Sequence, residues 1–252
     1  MPIDIGRVSY INADPLFCAE VPKEFSLSSM TPDMLNASAL EGRLEIGIVS
    51  RWIYPEIKDN YRVVPPYCIA GDGEIMSVEI FSKYPIEELG GKKIYITPET
   101  GTSSRAFRFI CMRKFGFDLF ESRVNCESEA DAVLLIGNRA LAYRNPFPYK
   151  FDLGEMWKEF AGVPMIYAIF VARADIGIGV DAKLKAYLAA SLEKFGADRF
   201  AVETSALRSF ARQTGVELNP ETIHKYYSLL KFELSESSFK SAFDYVAQNG
   251  NI

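Results

Sequence analysis

Short apolar runs that stop on a small polar residue, alternating with helix-starting signals, constrain this chain more than any other feature. Ile3 to Val8 runs into Ser9-Tyr10-Ile11-Asn12, Glu45 to Val49 ends on Ser50, Ile94 reaches Thr97, and Ala132 to Ile136 ends on Gly137-Asn138. Strands interleaved with helices predict an α/β fold. In open α/β sheets ligands bind beyond the carboxyl ends of the strands. The small polar groups at those ends are therefore the first candidates for a site, with Ser77, inside the predicted strand Ile75 to Phe81, beside them.

The first of these ends is the most informative. Asp14 followed by Pro15 predicts a helix N-cap and a first-turn proline. That places the uncharged amide of Asn12 in front of a helix N-terminus, where it can orient a small anion without repelling it. Thr31-Pro32-Asp33 predicts a second helix start, with a stop at Gly42. Gly71-Asp72-Gly73 between the apolar runs Arg62–Ile69 and Ile75–Phe81 is a hairpin-like signal. The loop Thr100-Gly101-Thr102-Ser103-Ser104 opens a helix at Ser103 or Ser104. Taken alone, its hydroxyls are expected to cap that helix; beside other polar strand ends, the helix start is a candidate anion site. A helix over Asp152–Phe160 and an apolar strand over Pro164–Ala172 follow. From Asp181 onward the pattern is helical throughout, with starts at Asn219-Pro220 and Ser235-Glu236 and a stop at Gly250.

A chain of 252 residues suits two lobes, each with its own core. The expected division is residues 83–172 as a lobe inserted into one formed by 1–82 plus 173–252, helices at the end included. Two α/β lobes joined by two crossings is the architecture of hinged binding proteins that close around a small molecule. A single doubly wound sheet is the other architecture the pattern allows.

Composition removes several function classes. A net charge of −5 argues against a nucleic-acid partner. No apolar stretch approaches a membrane span, and residues 1–17 lack the basic start and apolar core of a signal, so a cytoplasmic protein without a membrane partner is expected. Cys18, Cys68, Cys111 and Cys126 are scattered, which predicts reduced, buried thiols rather than a zinc or redox site. No phosphate-binding glycine pattern follows a strand. The single histidine, His224, falls on the predicted solvent face of its helix with Glu221, Lys225 and Ser228. Nucleophile–histidine chemistry thus has almost no candidate base, and a histidine-built metal site is excluded. Arg51, Arg105, Arg139 and Arg144 lie near strand ends, where any can pair with a ligand carboxylate, although a surface charge is the default for each.

With those segments assembled, the chain resembles the chorismate dehydratase family of the futalosine route to menaquinone. The resemblance is carried by Gly6-Arg7-Val8-Ser9-Tyr10-Ile11-Asn12 with Pro15-Leu16, by Ile46-Gly47-Ile48-Val49-Ser50 with Tyr54, and by Ser77-Val78-Glu79-Ile80-Phe81-Ser82. Thr102-Ser103-Ser104, Leu134-Leu135-Ile136-Gly137 and the block from Phe151 to Pro164 complete it. It implies a two-lobed type II periplasmic-binding-protein-like fold without secretion. It implies elimination of water from chorismate to give 3-[(1-carboxyvinyl)oxy]benzoate, with no cofactor. By position it assigns Asn12 and Ser77 as the functional polar pair, and Ser50, Thr102 and Ser103 as carboxylate contacts. Arg51, Gly137 and Asn138 are added as substrate-binding candidates; Asn138 stands where the family commonly has Asp. Two other readings remain from the sequence: a non-catalytic binder of a small aromatic acid or other solute on the same fold, and the sister enzyme that makes 1,4-dihydroxy-6-naphthoate. The sister uses a histidine as base, and this chain has none before residue 224.

Overall fold

A computed structural model describes residues 1–249 and gathers their strands into two sheets. Along the chain these are β1 (Ile3–Val8), β2 (Phe25–Met30), β3 (Ile46–Ser50), β4 (Tyr61–Gly71), β5 (Val78–Ser82) and β6 (Ile94–Ile96). There follow β7 (Arg123–Val124), β8 (Ala132–Ile136), β9 (Tyr149–Asp152), β10 (Met165–Arg173) and β11 (Leu230–Glu233). The helices are α1 (Pro32–Leu40), α2 (Tyr54–Ile57), α3 (Thr102–Ile110), α4 (Gly137–Ala142) and α5 (Leu153–Ala161), then α6 (Gly179–Ala197), α7 (Arg199–Thr214), α8 (Pro220–Leu229) and α9 (Glu236–Asn249). The stop expected at Gly250 lies outside the described residues.

The first sheet has the order β11-β4-β10-β3-β1-β2, and the second β7-β6-β8-β5-β9. In the first, β1 runs parallel to β2 and β3, while β10 lies antiparallel between β3 and β4. In the second, β6 is parallel to β7 and β8, and β5 lies antiparallel between β8 and β9. The central strands are apolar on both faces: Ile46 to Val49 and Ala132 to Leu135 are buried without interruption. This is what strands covered by helices on both sides require.

Two lobes joined by two crossings are therefore present, but the crossings fall earlier than 82/83 and 172/173. β5 pairs only within the second sheet, and β10 only within the first. The chain crosses between Gly71 and Val78, and returns between Asp152 and Met165. Gly71-Asp72-Gly73 is thus no hairpin: β4 and β5 belong to different sheets, and the glycines serve the first crossing. Local turn chemistry was right about a sharp change of direction and wrong about the partner strand.

Both crossings are tied at one carboxylate. Asp152 Oδ1 caps α5 by accepting from Gly154 N (2.8 Å) and Glu155 N (3.2 Å), and its Oδ2 accepts from Ile75 N (3.0 Å) and Met76 N (2.7 Å). Met76 carries φ of 62°, a strained value for a non-glycine residue, one position before Ser77.

Other expectations need correction. Asp14 does not cap a helix. The segment Ile11–Leu16 is a 3-10 turn that starts earlier, and Asp14 instead pairs with Arg7 at 2.6 Å. Cys68 and Cys111 are buried thiols as expected, but Cys18 is half-buried and Cys126 exposed. The C-terminal region is not all helix, since β11 adds a strand to the edge of the first sheet beside β4. His224 is exposed as expected and meets Glu203 at 3.0 Å, while Ile223, Tyr226 and Tyr227 face inward.

Candidate functional site

Between the two sheets lies a cleft with ≈ 630 Å³ of empty space, part of it open to solvent. Its first-lobe wall is made by Val8, Tyr10, Asn12, Asn36, Ser50 and Tyr167. The other wall is Ser77, Glu99, Gly101, Thr102, Ser103 and Gly137. Strand ends β1, β3 and β8 and the start of α3 converge there, as the sheet rule predicts. Among the described residues, no Lys, Arg or His lines it.

Asn12 and Ser77 both reach this cleft, one from the turn after β1 and one from the first crossing. The side-chain oxygen of Asn12 is buried without a hydrogen-bond partner among the described residues. An orphaned polar atom of that kind is costly unless something else satisfies it. Ser77 is 3% exposed, and its backbone is pinned by Ser77 N donating to Ile75 O and Gly137 N donating to Ser77 O.

The start of α3 is not capped by its own hydroxyls. The cap position is Gly101, and no side chain caps the helix. Ser104 Oγ bonds backward to the carbonyls of Thr100 and Gly101, and Thr102 Oγ1 donates to Tyr167 O at 2.7 Å. Gly101, Thr102 and Ser103 at the start of α3 line the cleft, and the unpaired N–H groups and positive dipole end of a helix start suit a carboxylate.

Ser50 is less free than its position at the end of β3 promises. Its Oγ lies 2.6 Å from Thr102 Oγ1. Because the Thr102 proton goes to the Tyr167 carbonyl, Ser50 is the donor to Thr102, and it also accepts from Trp52 N at 3.4 Å. In this conformation Ser50 and Thr102 form a bridge between the lobes. Ser103 has no such commitment.

Two glycines permit that closeness. A Cβ on Gly101 would sit 2.6 Å from Ser50 Oγ, and a Cβ on Gly137 would run into the Tyr10 ring. Gly137 also has φ of +58°.

Two sequence candidates lie elsewhere. Asn138 does not line the cleft. Its Oδ1 accepts from Ile11 N at 3.3 Å and its Nδ2 donates to Gln213 Oε1 at 2.9 Å, clasping α4 to the first lobe. Arg51 is 1% exposed and turned away from the cleft, with Nη2 donating to Phe243 O at 2.7 Å and its guanidinium 3.6 Å from the Phe243 ring. Desolvation lowers it to about 10. Of the other arginines, Arg105 and Arg139 pair with Glu56 and Glu127, and neither they nor Arg144 line the cleft.

Sequence reasoning missed Tyr10, Asn36, Glu99 and Tyr167. Asn36 Oδ1 accepts from Ser50 N at 2.9 Å, fixing the end of β3. Burial, then the charges of Glu99 and Asp33, hold the Tyr10 phenol well above its ordinary range, so it is a donor at neutral pH. Only Asn36 was hinted at, by its place on the inward face of a helix with a recognisable start.

A family model described as menaquinone biosynthesis matches residues 3–248. The chain is 25% identical over 194 residues to a chorismate dehydratase from Thermus thermophilus, covering 69% of this chain and 71% of that protein. It is 26% identical over 155 residues to a 1,4-dihydroxy-6-naphthoate synthase from the same organism, covering 59% and 55%. Among solved structures, a protein from Archaeoglobus fulgidus superposes with a TM-score of 0.77 at 18% identity, covering 100% of this chain and 98% of that one. The alkanesulfonate-binding protein SsuA from Xanthomonas axonopodis pv. citri, bound to MOPS, gives 0.62 at 10% identity, covering 98% and 91%. These likenesses show the fold, a periplasmic-binding-protein-like pair of lobes.

Proposed function

The chain belongs to the menaquinone-biosynthesis family, and from that premise we propose that it is a chorismate dehydratase acting in the cleft between the lobes. The observation that carries this is the Asn12 side-chain oxygen, buried and unpartnered in a cleft that also holds Ser77 and no basic side chain. Such a cleft suits a reaction that needs positioning more than a strong protein base.

Chorismate loses a ring hydroxyl and the hydrogen on the neighbouring ring carbon. The C–H electron pair becomes the new ring double bond, and hydroxide leaves with the proton as water. Aromatisation drives the elimination, so the protein need only lower the barrier. In our reading the enolpyruvyl carboxylate, held close to that hydrogen, takes the proton and passes it to the departing hydroxide. Asn12 and Ser77 hydrogen-bond the departing hydroxyl. The uncapped start of α3, with Ser103, holds a carboxylate; Ser50 and Thr102 join in when ligand displaces their mutual bond. Orientation of this kind contributes on the order of 7–11 kcal/mol at best.

Glu99 is the carboxylate among the lining residues, and it tests the identity of the base. Glu99→Gln is expected to keep turnover within about threefold, whereas loss of turnover would make Glu99 the proton acceptor. The decisive experiment is incubation of the purified protein with chorismate while absorbance reports an aromatic product. Binding without product would favour a non-catalytic solute binder. The naphthoate synthase reading is disfavoured because the histidine its chemistry needs is absent from the cleft lining, His224 being exposed on α8.

A further inference from the structure

The C-terminal helices are not mere packing. We propose that the adjacent tyrosines of α8, Tyr226 and Tyr227, are positioning residues for the Asn12–Ser77 pair, Tyr227 fixing the turn that carries Asn12 and Tyr226 aiming the Ser77 hydroxyl into the cleft. The proposal deepens the dehydratase reading and rests on it for the roles of Asn12 and Ser77.

Tyr227 is 3% exposed, and its hydroxyl donates to the carbonyl of Ile11, one residue before Asn12, at 2.9 Å. Tyr226 is 1% exposed and stacks on Tyr227 with ring centroids 5.7 Å apart. Its hydroxyl has no formed hydrogen bond. The Ser77 side chain acts on this phenol, offsetting part of the rise that burial gives it. The placement of α8 beside the first crossing is independently fixed, because Lys225 Nζ meets Glu74 Oε1 at 2.8 Å, three residues before Ser77. Asn219 caps the helix through Thr222 N at 2.7 Å, and Arg199 binds His224 O and Ser228 Oγ. One rigid element therefore addresses both halves of the pair.

A buried hydroxyl left without a partner costs roughly 1–3 kcal/mol. At Tyr226 a phenylalanine would fill the same space without that cost. Burial keeps both phenols protonated at neutral pH, so each has one proton to donate. When Tyr226 donates to Ser77 Oγ, the Ser77 proton must point elsewhere, and the cleft is where it lines the wall. Formation of that bond fixes the donor direction that the leaving hydroxyl needs.

The test is a double-mutant cycle on the whole chain: wild type, Tyr226→Phe, Ser77→Ala and the double variant, with chorismate. The expected result is a fall in kcat on the order of tenfold for Tyr226→Phe with KM within twofold, and no further fall when it is added to Ser77→Ala. Tyr227→Phe is expected to couple in the same way to Asn12→Ala. Unchanged kcat in Tyr226→Phe, or an equal fall with and without Ser77, would overturn the Tyr226 role, and a purely structural tyrosine gives that additive pattern. If wild type itself makes no product, the dehydratase reading fails. The same four proteins are then compared by calorimetric binding of 3-hydroxybenzoate, where non-additive affinities support the pair and additive or unchanged ones overturn it. If Tyr226→Phe does not fold, the Tyr227→Phe and Asn12→Ala cycle decides whether α8 positions the site.

Discussion

Asn12 stabilises nothing visible through its side-chain oxygen, and that is its value as a reporter. Because this atom has no partner among the described residues, Asn12→Ala should leave the unfolding midpoint nearly unchanged. Turnover should fall roughly 10²-fold, the cost of removing one preorganised polar group from a reacting centre. A variant that melts early but turns over normally would reassign Asn12 to structure. Glu79 behaves oppositely. It is 1% exposed, one of its oxygens is unpartnered, and burial pushes its carboxyl up to about 8 despite Lys150 at 2.7 Å. Folded protein then holds a proton that the unfolded chain releases in the ordinary Glu range. Stability should therefore decline as pH rises from that range to about 8 and level off above it. In Glu79→Gln this decline should disappear from a thermal-midpoint series between pH 5 and 9. Identical slopes in the two proteins would mean that Glu79 is ionised in the fold. Asn12, Ser50 and Ser103 were legible because each ends or starts an element with a recognisable local pattern. Tyr10, Glu99 and Tyr167 were not, since only the packing of one lobe on the other brings them together.

At the scale of elements, the two crossings are the least replaceable part of the chain. Gly154, just inside α5, leaves no room for a Cβ. The added carbon would overlap the Gly73 carbonyl of the other crossing and lie 3.0 Å from Asp152 Oδ1 and 3.1 Å from the Tyr167 hydroxyl. The obstacle is backbone, so one crossing must shift. Gly154→Ala should cost about 3 kcal/mol in denaturant unfolding. Gly162 is the control at the far end of the same helix. It has φ of +72° and open space around a Cβ, so Gly162→Ala should cost only about 1 kcal/mol of backbone strain. Equal costs at the two positions would show that the crossings do not press on each other. The helix boundaries here were readable, since Asp152 is a capping residue and Gly162 a left-handed stop. Sheet membership was not. β5 and β10 are apolar runs that would suit either sheet, and pairing between residues far apart in sequence decides between them. That is why the lobe boundaries moved by one strand at each crossing.

For the whole molecule the question is what holds the lobes at their present separation. Among the described residues, hydrogen bonds span the cleft at two places, Ser50 to Thr102 to the Tyr167 carbonyl on one side and Ile11 N to Asn138 to Gln213 on the other, while the Arg105–Glu56 ion pair and the Trp157–Tyr245 ring contact also join the lobes. The Asn138 clasp is exacting about charge. Asn138 uses both ends of its amide, and Gln213 answers with its oxygen while its nitrogen donates to Ser9 O and Ser209 Oγ. Asp at position 138 could still accept from Ile11 N, but its second oxygen would meet the Gln213 oxygen. Relief requires Gln213 to turn over and abandon Ser9. In this chain, therefore, Asn138→Asp weakens the clasp although the resemblance makes Asp the usual residue there, and Asn138→Ala removes it. Each lost hydrogen bond is worth about 1 kcal/mol of closure, and the open form gains accordingly. Small-angle scattering of the ligand-free protein should show a larger radius of gyration in both variants at neutral pH. In Asn138→Asp alone, acidification that protonates the new carboxyl should bring the radius back toward wild type, since the protonated group can donate to Gln213. Profiles that superpose on wild type at every pH would mean that the Asn138 clasp does not set the separation of the lobes.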